Sequence, residues 1–221
     1  TTEGVVLSVT NSEKNMGAII SLNCETDFVA KNETFIELAK NILTIALSNK
    51  VQDVDSLKGL NFDDSMSIND KLIEQTGVIG EKLELNHYSI IQSDYVSSYI
   101  HPGNKLASLV GFNILHDNID EVGKNIAMQI AAMNPIALDE GDVSKDIIDK
   151  EMEIGKDLAR KEGKPEQMLE KIAEGRLRKF FKENTLMKQI YIKDSKKTIH
   201  QYLKEHDNNL LITSFRRLNL G

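Results

Sequence analysis

Apolar residues in the first half of the chain fall into two kinds of pattern, short unbroken runs and stretches with helical spacing. Two short runs flank a polar turn, which predicts an antiparallel β-hairpin, and the stretch after them predicts an amphipathic helix. The same order returns later in the chain. The elements expected from these patterns are strands at 5–9 and 18–23 with a helix through 35–42, then strands at 95–100 and 106–113 with a helix through 122–126.

Local residue signals predict where some of these elements begin and end. Thr34 and Glu37 have the spacing of a capping box, so we expect the first long helix to begin there. A short helix over 67–76 is expected to end at Gly77, because glycine readily adopts the left-handed conformation that closes helices. A strand over 81–89 then completes the first unit.

The pattern between 143 and 184 is helical on both sides of an interruption, Gly-Lys-Pro at 163–165. Glycine after one helix and proline at the start of the next are typical of an antiparallel helical hairpin. Counting outward from the turn places Gly155 opposite Ala173, where small residues let the arms approach closely. The arms leave apolar residues uncovered, so we expect pairing with a second protein or a second copy of the chain. Packing of the hairpin onto the chain's own core is the alternative.

Together these elements predict an α+β fold. It consists of two related subdomains, each a small antiparallel sheet with helices, plus an inserted antiparallel helical hairpin that forms a coiled coil. A strand at 190–192, a helix through 198–204 and the stretch 210–220 are expected to complete the second subdomain. The expected division is 1–88 for the first subdomain, 89–142 with 185–221 for the second, and 143–184 for the hairpin.

The segment 23–32, with the sequence NCETDFVAKN, is the strongest candidate for a functional site. It places Thr26, Asp27, Phe28 and Val29 at a corner between a buried strand and a helix. We expect an extended corner, in which adjacent residues point in different directions, so Val29 can anchor it while Phe28 faces outward. An unpaired carboxylate beside an aromatic is costly to bury, which also favours an exposed corner. Burial of Phe28 in the core is the alternative.

Composition and charge exclude several kinds of partner. The chain has 221 residues, a formal net charge of −7 and a pI near 5.3, which is unsuited to neutralising phosphates, so we expect no nucleic-acid partner. No apolar run approaches the roughly 20 residues that cross a bilayer, and we expect no secretory leader. With its single cysteine, Cys24, the chain fits a reducing compartment, and we expect a cytoplasmic protein without membrane contact.

The sequence contains no motif for holding a nucleotide or a metal ion. No phosphate-binding glycine loop or dinucleotide fingerprint occurs, and the five histidines form no pair with metal-ligand spacing, so we expect no cofactor. Cys24 as the nucleophile of an enzyme is an alternative. A buried, inert cysteine at the end of a strand is the commoner arrangement.

Several segments, in order along the chain, resemble the elongation factor Ts family of bacterial translation factors. The segment 23–32 is the most specific, and 163–180, GKPEQMLEKIAEGRLRKF, supports it strongly. The weaker matches are IGEKLEL at 79–85, Tyr99 with His101, IAMQIAAMNP at 126–135, and Phe215 with Arg217. Many members carry two arginines in place of Asn86-His87 and an aromatic in place of Leu218. Members usually begin with a small ubiquitin-associated-like domain, which is absent from this chain and is expected upstream of Thr1.

The resemblance implies a guanine-nucleotide exchange factor for the GTPase elongation factor Tu, without covalent chemistry of its own. The family residues that match Thr26, Asp27, Phe28 and Val29 contact the nucleotide-binding domain, where the aromatic disturbs the Mg²⁺ and phosphate site. The stretches 126–135 and 190–193 resemble the part that touches the third domain of the GTPase.

An alternative function remains open from the residues alone. The uncovered apolar stripe of the helical hairpin also suits a non-catalytic adaptor protein, or a homodimer formed through the hairpin.

Overall fold

The computed structural model describes residues 1–220 and divides the chain into two compact units. The first unit contains Thr1–Ala132 together with the chain from Asn209 onward. The second contains Met133–Asn208. Small antiparallel sheets and helices make up the structure, which confirms the predicted α+β class. The division into two related subdomains and an inserted hairpin stays a prediction.

Two three-stranded antiparallel sheets form the framework of the first unit. One contains β1 (Glu3–Thr10), β2 (Met16–Cys24) and β3 (Glu84–Gln92) in that order, and the other contains β4 (Tyr95–Ile100), β5 (Leu106–Phe112) and β8 (Ile212–Asn219) in that order. Both predicted hairpins are present, since β1 pairs with β2 and β4 with β5. The helices are α1 (Asp27–Ala30), α2 (Glu33–Asn49), α3 (Val54–Lys58), α4 (Ile68–Ile79) and α5 (Ile119–Met133).

Strand β2 lies at the centre of the first unit and is buried on both faces. Alternate side chains of a strand point to opposite faces, so its residues divide between two clusters. Ile20 and Leu22 pack with Phe35 of α2 in one cluster, whereas Ile19 packs with Leu109 of β5 in the other. The position of the chain that leaves β2 at Cys24 is therefore set by packing on two sides.

Two predicted helix ends are wrong. Helix α2 is capped by Asn32, whose side chain accepts the backbone N–H of Thr34 at 2.9 Å, so Thr34 lies inside the first turn. Helix α4 continues through Gly77 and ends at Gly80, which adopts a left-handed φ of 80° and closes the last turn onto Thr76. In both cases a second residue of suitable type, two or three positions away, takes the terminal conformation.

The second unit contains the helices α6 (Lys145–Lys161), α7 (Leu169–Asn184) and α8 (Ile199–His206), and the short strands β6 (Ile190–Tyr191) and β7 (Asp194–Thr198). Helices α6 and α7 pack against each other. A Cβ atom added to Gly155 would lie 3.1 Å from the Cα atom of Ala173, so the predicted close approach of these two residues is confirmed. Gly163, with a φ of 78°, lies in the connection between the helices.

Candidate functional site

The candidate site is the one-turn helix α1, which directly follows the central strand β2. Thr26 is its N-cap residue, with an extended backbone, and the Thr26 hydroxyl oxygen accepts the N–H of Val29 at 3.4 Å. The longer helix α2 begins right after it, with Asn32 as its cap. Helix α1 is thus held between a buried strand and a helix that packs on the core.

Consecutive side chains of α1 point in different directions, because successive helical residues are about 100° apart. Ala30 is buried, and Val29 packs against the core cluster beneath α2. Phe28 is 84% exposed, the highest value among the large apolar side chains in the described part of the chain. The expectation that Phe28 faces outward while Val29 anchors the corner agrees with the structure, but the corner is a helical turn and the expected extended conformation was wrong.

Asp27 forms an exposed ion pair within the same turn. Its carboxylate accepts a hydrogen bond from the ammonium group of Lys31 at 2.8 Å, and both side chains are largely exposed. This bond and the charge of Lys31 lower the pKa of Asp27. Asp27 is therefore ionised at neutral pH, one residue before Phe28 in the chain.

Glu81 is a residue of the site to which the sequence analysis assigned no role. Its Oε2 atom accepts the backbone N–H groups of Glu25 and Thr26, both at 3.1 Å, and its Oε1 atom accepts the Thr26 hydroxyl at 2.5 Å. In return, the carboxylate of Glu25 accepts the N–H of Lys82 at 3.0 Å. The hydrogen bond from the Thr26 hydroxyl is the main cause that lowers the pKa of Glu81. The segment 79–85, which contains Glu81, resembles the family in sequence, but its sequence does not indicate a contact with Thr26.

A mainly apolar pocket opens beside α1, between the start of α2 and the end of α4. Val29 and Phe35 line it on one side, and Val78 and Ile79 line it on the other. Val78 is 73% exposed. The surface around the Phe28 turn is therefore partly apolar.

Cys24 is buried at the end of β2, and its thiol donates a hydrogen bond to the carbonyl oxygen of Thr26 at 3.2 Å. Burial, with a smaller contribution from the charge of Glu81, raises the pKa of Cys24 to about 11. A thiol with that pKa is protonated at neutral pH and is a poor nucleophile. The structure therefore gives no support to the enzyme alternative.

Two further features concern ions and membranes. Within residues 1–220, no group of three or more His, Cys, Asp or Glu side chains is arranged to hold a metal ion. In the same described range, every helix is too short or too polar to cross a bilayer.

Comparisons with known proteins agree with one another. The family model described as "Elongation factor TS" matches residues 25–221. The elongation factor Ts of Flavobacterium psychrophilum is 49% identical over 220 residues, which cover 100% of this chain and 79% of that protein. The elongation factor Ts of Christiangramia forsetii is 50% identical over 222 residues, which cover 99% of this chain and 79% of that protein. The elongation factor Ts of a Hydrogenobaculum species is 43% identical over 229 residues, which cover 100% of this chain and 80% of that protein.

The match to the family model includes the corner that carries Phe28 and the contact residue Glu81, and the similarity to the relatives extends over the whole chain. This chain belongs to the elongation factor Ts family and has a role in translation elongation.

Proposed function

We propose that this chain is a guanine-nucleotide exchange factor for elongation factor Tu, and that Thr26, Asp27, Phe28 and Val29 act on the nucleotide site of that GTPase. The observation that supports the proposal is the exposed ring of Phe28 on a helical turn held from both sides. The chain makes and breaks no covalent bond in this role. It needs no cofactor or nucleic acid, and it works in the cytoplasm, where translation takes place.

An exposed phenyl ring on a fixed turn is suited to binding. Covering a phenylalanine side chain contributes about 1.5–3 kcal/mol from the apolar surface removed from water, and aromatic anchors at the centre of interfaces reach about 2–4 kcal/mol. Ordering a mobile loop would offset part of that gain. Because Thr26 caps the turn and Val29 packs on the core, little ordering remains to be done when the ring is covered.

Release of GDP follows because binding of the exchange factor to the GTPase and binding of GDP to the GTPase are coupled. Mg²⁺ binds nucleotide phosphates with few ligands in strict octahedral geometry, so a small displacement of those ligands weakens it sharply. If Phe28 can be covered only when the Mg²⁺ site is disturbed, the exchange factor and GDP weaken each other's binding to the GTPase. This coupling is reciprocal, so nucleotide that rebinds expels the exchange factor.

The second unit also carries exposed apolar side chains. Met133, Ile190 and Ile192 lie in the two stretches, 126–135 and 190–193, that resemble the family's contact with the third domain of the GTPase, and each is between 43% and 52% exposed. We assign them to contact with the third domain of elongation factor Tu, which would anchor the protein while Phe28 acts on the first.

The test is the rate at which a fluorescent GDP analogue leaves elongation factor Tu, measured by stopped flow with limiting amounts of this protein. Phe28→Ala should lower the second-order rate constant about 30- to 900-fold, the equivalent of 2–4 kcal/mol. Leu115→Ala is the matched control, because Leu115 is also exposed, at 71%, and lies outside the corner. The proposal is wrong if the unchanged protein does not accelerate release, or if Phe28→Ala accelerates it equally well.

The second candidate function is an adaptor or homodimer that works through α6 and α7. Ile154 and Leu158 of α6 are 41% and 40% exposed and support this candidate. The double variant Ile154→Ser with Leu158→Ser should then lose self-association or partner binding in sedimentation experiments. Under the leading proposal, the same variant retains nucleotide exchange.

A further inference from the structure

We propose that Glu81 is a positioning residue for nucleotide exchange, because it fixes the direction of Phe28 by holding Glu25 and Thr26. This inference rests on the proposed function of the Phe28 turn. It assigns to a residue outside α1 the task of keeping that turn ready for the partner.

The contacts form a two-way link between the end of β2 and the segment before β3. Glu81 accepts three hydrogen bonds, from the N–H groups of Glu25 and Thr26 and from the Thr26 hydroxyl. Glu25 accepts one in the opposite direction, from the N–H of Lys82. The Thr26 hydroxyl thus donates to Glu81 and also accepts the N–H of Val29. Rotation of α1 about the end of β2 would break several of these bonds together.

Helix α1 needs this external support because of its length. It has four residues, and a helix of a single turn is unstable by itself, since the first turn fixes several dihedral angles for one hydrogen bond. Val29 and Ala30 hold its core-facing side through packing. Glu81 holds the residues on the N-terminal side of Phe28, where the chain leaves the sheet.

A carboxylate is well matched to the three donors it meets. Hydrogen bonds to a charged acceptor are shorter and stronger than neutral ones, and two oxygens can serve three donors. Glutamine can imitate this arrangement. Its carbonyl oxygen can accept the two backbone N–H groups while its amide donates to the Thr26 hydroxyl, which can also accept. Alanine removes all three bonds. Glu81→Gln therefore removes the charge and keeps the hydrogen bonds, whereas Glu81→Ala removes both.

The first experiment needs no partner. The chain contains no tryptophan, so Phe28→Trp introduces a single tryptophan, which can be excited selectively over the five tyrosines, at an exposed position. In this background, Glu81→Ala should lower the residual fluorescence anisotropy of the tryptophan and accelerate hydrogen exchange of the Glu25 and Thr26 amides about tenfold or more. Glu81→Gln should keep both close to the parent values. Unchanged anisotropy and exchange in Glu81→Ala would overturn the proposal.

The second experiment is a double-mutant cycle in the GDP-release assay with elongation factor Tu. Glu81→Ala should lower the rate constant for GDP release about tenfold when Phe28 is present. In the Phe28→Ala background it should have little effect, because Glu81 acts only by positioning the ring, which that variant lacks. A general structural defect would lower the rate equally in both backgrounds and would overturn the proposal. Glu37→Ala is the control, since Glu37 is an exposed glutamate paired with Lys40 on α2.

The two experiments distinguish failure of this inference from failure of the proposed function. If the unchanged protein fails to release GDP while Glu81→Ala still loosens the tryptophan probe, Glu81 holds the turn but the proposed function is wrong. If the unchanged protein releases GDP and Glu81→Ala does so at the same rate, the proposed function stands and the positioning role is wrong.

Discussion

Replacing Gly4 should destabilise the protein, because the Gly4 backbone lies too close to the neighbouring strand for any side chain to fit. Its φ is 147°, a conformation that residues with a side chain rarely adopt, and it pairs with Asn23 across β1 and β2. A Cβ atom at this position would lie 2.3 Å from the carbonyl oxygen of Leu22 and 2.7 Å from the Cα atom of Asn23. Both contacts are with backbone, so neither can be relieved by a side-chain rotation.

Gly4→Ala should therefore destabilise the protein by about 2–4 kcal/mol. Backbone strain of this kind costs about 1–3 kcal/mol, and displacement of the strand end adds the loss of one or two ladder hydrogen bonds. With a denaturant slope of about 2 kcal/mol per M, the urea midpoint followed by circular dichroism should fall by about 1–2 M.

Gly77→Ala is the matched control, with the same chemical change and the opposite expected sign. Gly77 lies inside α4, and apart from the neighbouring backbone of the helix itself no atom lies within 4 Å of a Cβ added there. Alanine is favoured over glycine in a helix by about 0.5–1 kcal/mol, so this variant should be more stable than the unchanged protein. A Gly4→Ala variant with an unchanged midpoint, or two variants that shift it in the same direction, would refute the reasoning.

Two further predictions follow from the pKa shifts near the site. Cys24, with its pKa raised to about 11, should react with iodoacetamide in the native protein about a hundredfold more slowly than an ordinary cysteine at pH 7.5. In urea it should react at the rate of an ordinary cysteine. Equal rates in the native and the unfolded protein would show that the thiol is accessible and would contradict the prediction. Glu81 has a lowered pKa in the folded protein, so the stability that its charge contributes is complete above the ordinary glutamate pKa and is lost as pH falls through the lower, folded value. The difference in unfolding free energy between the unchanged protein and Glu81→Gln, which lacks the charge, should accordingly stay constant from pH 7 to about pH 4.5 and shrink only below it. A difference that shrinks above the ordinary glutamate value would contradict the assigned shift.

The long elements could be predicted because their signals are repeated along the chain. The strands β1 and β2 and the helix α2 each carry several apolar residues at the right spacing, so one misleading position does not change the prediction. The ends of helices depend on the conformation of one residue. Asn32 and Thr34 can both cap a helix, and Gly77 and Gly80 can both end one, so residue type left the choice open.

In α4 the surrounding contacts decide between the two glycines. Gly80 donates its N–H to the carbonyl of Thr76, and the Thr76 hydroxyl accepts the N–H of Leu83 at 3.2 Å. These bonds connect the end of the helix to the segment that enters β3. A sequence pattern contains no information on such contacts between the end of one element and the start of the next.

The local sequence pattern was enough to determine the α+β class, the corner between β2 and α2, and membership of the elongation factor Ts family. Periodicity and short motifs are properties of neighbouring residues, and they can be recognised before the chain is folded. The outward direction of Phe28 and the partner of Thr26 required the folded chain. Glu81 lies 55 residues from Thr26, and the pairing of β3 with β2 brings the two side chains together. Such long-range contacts depend on how separate elements pack, and therefore only the tertiary structure could identify the residue that holds the turn.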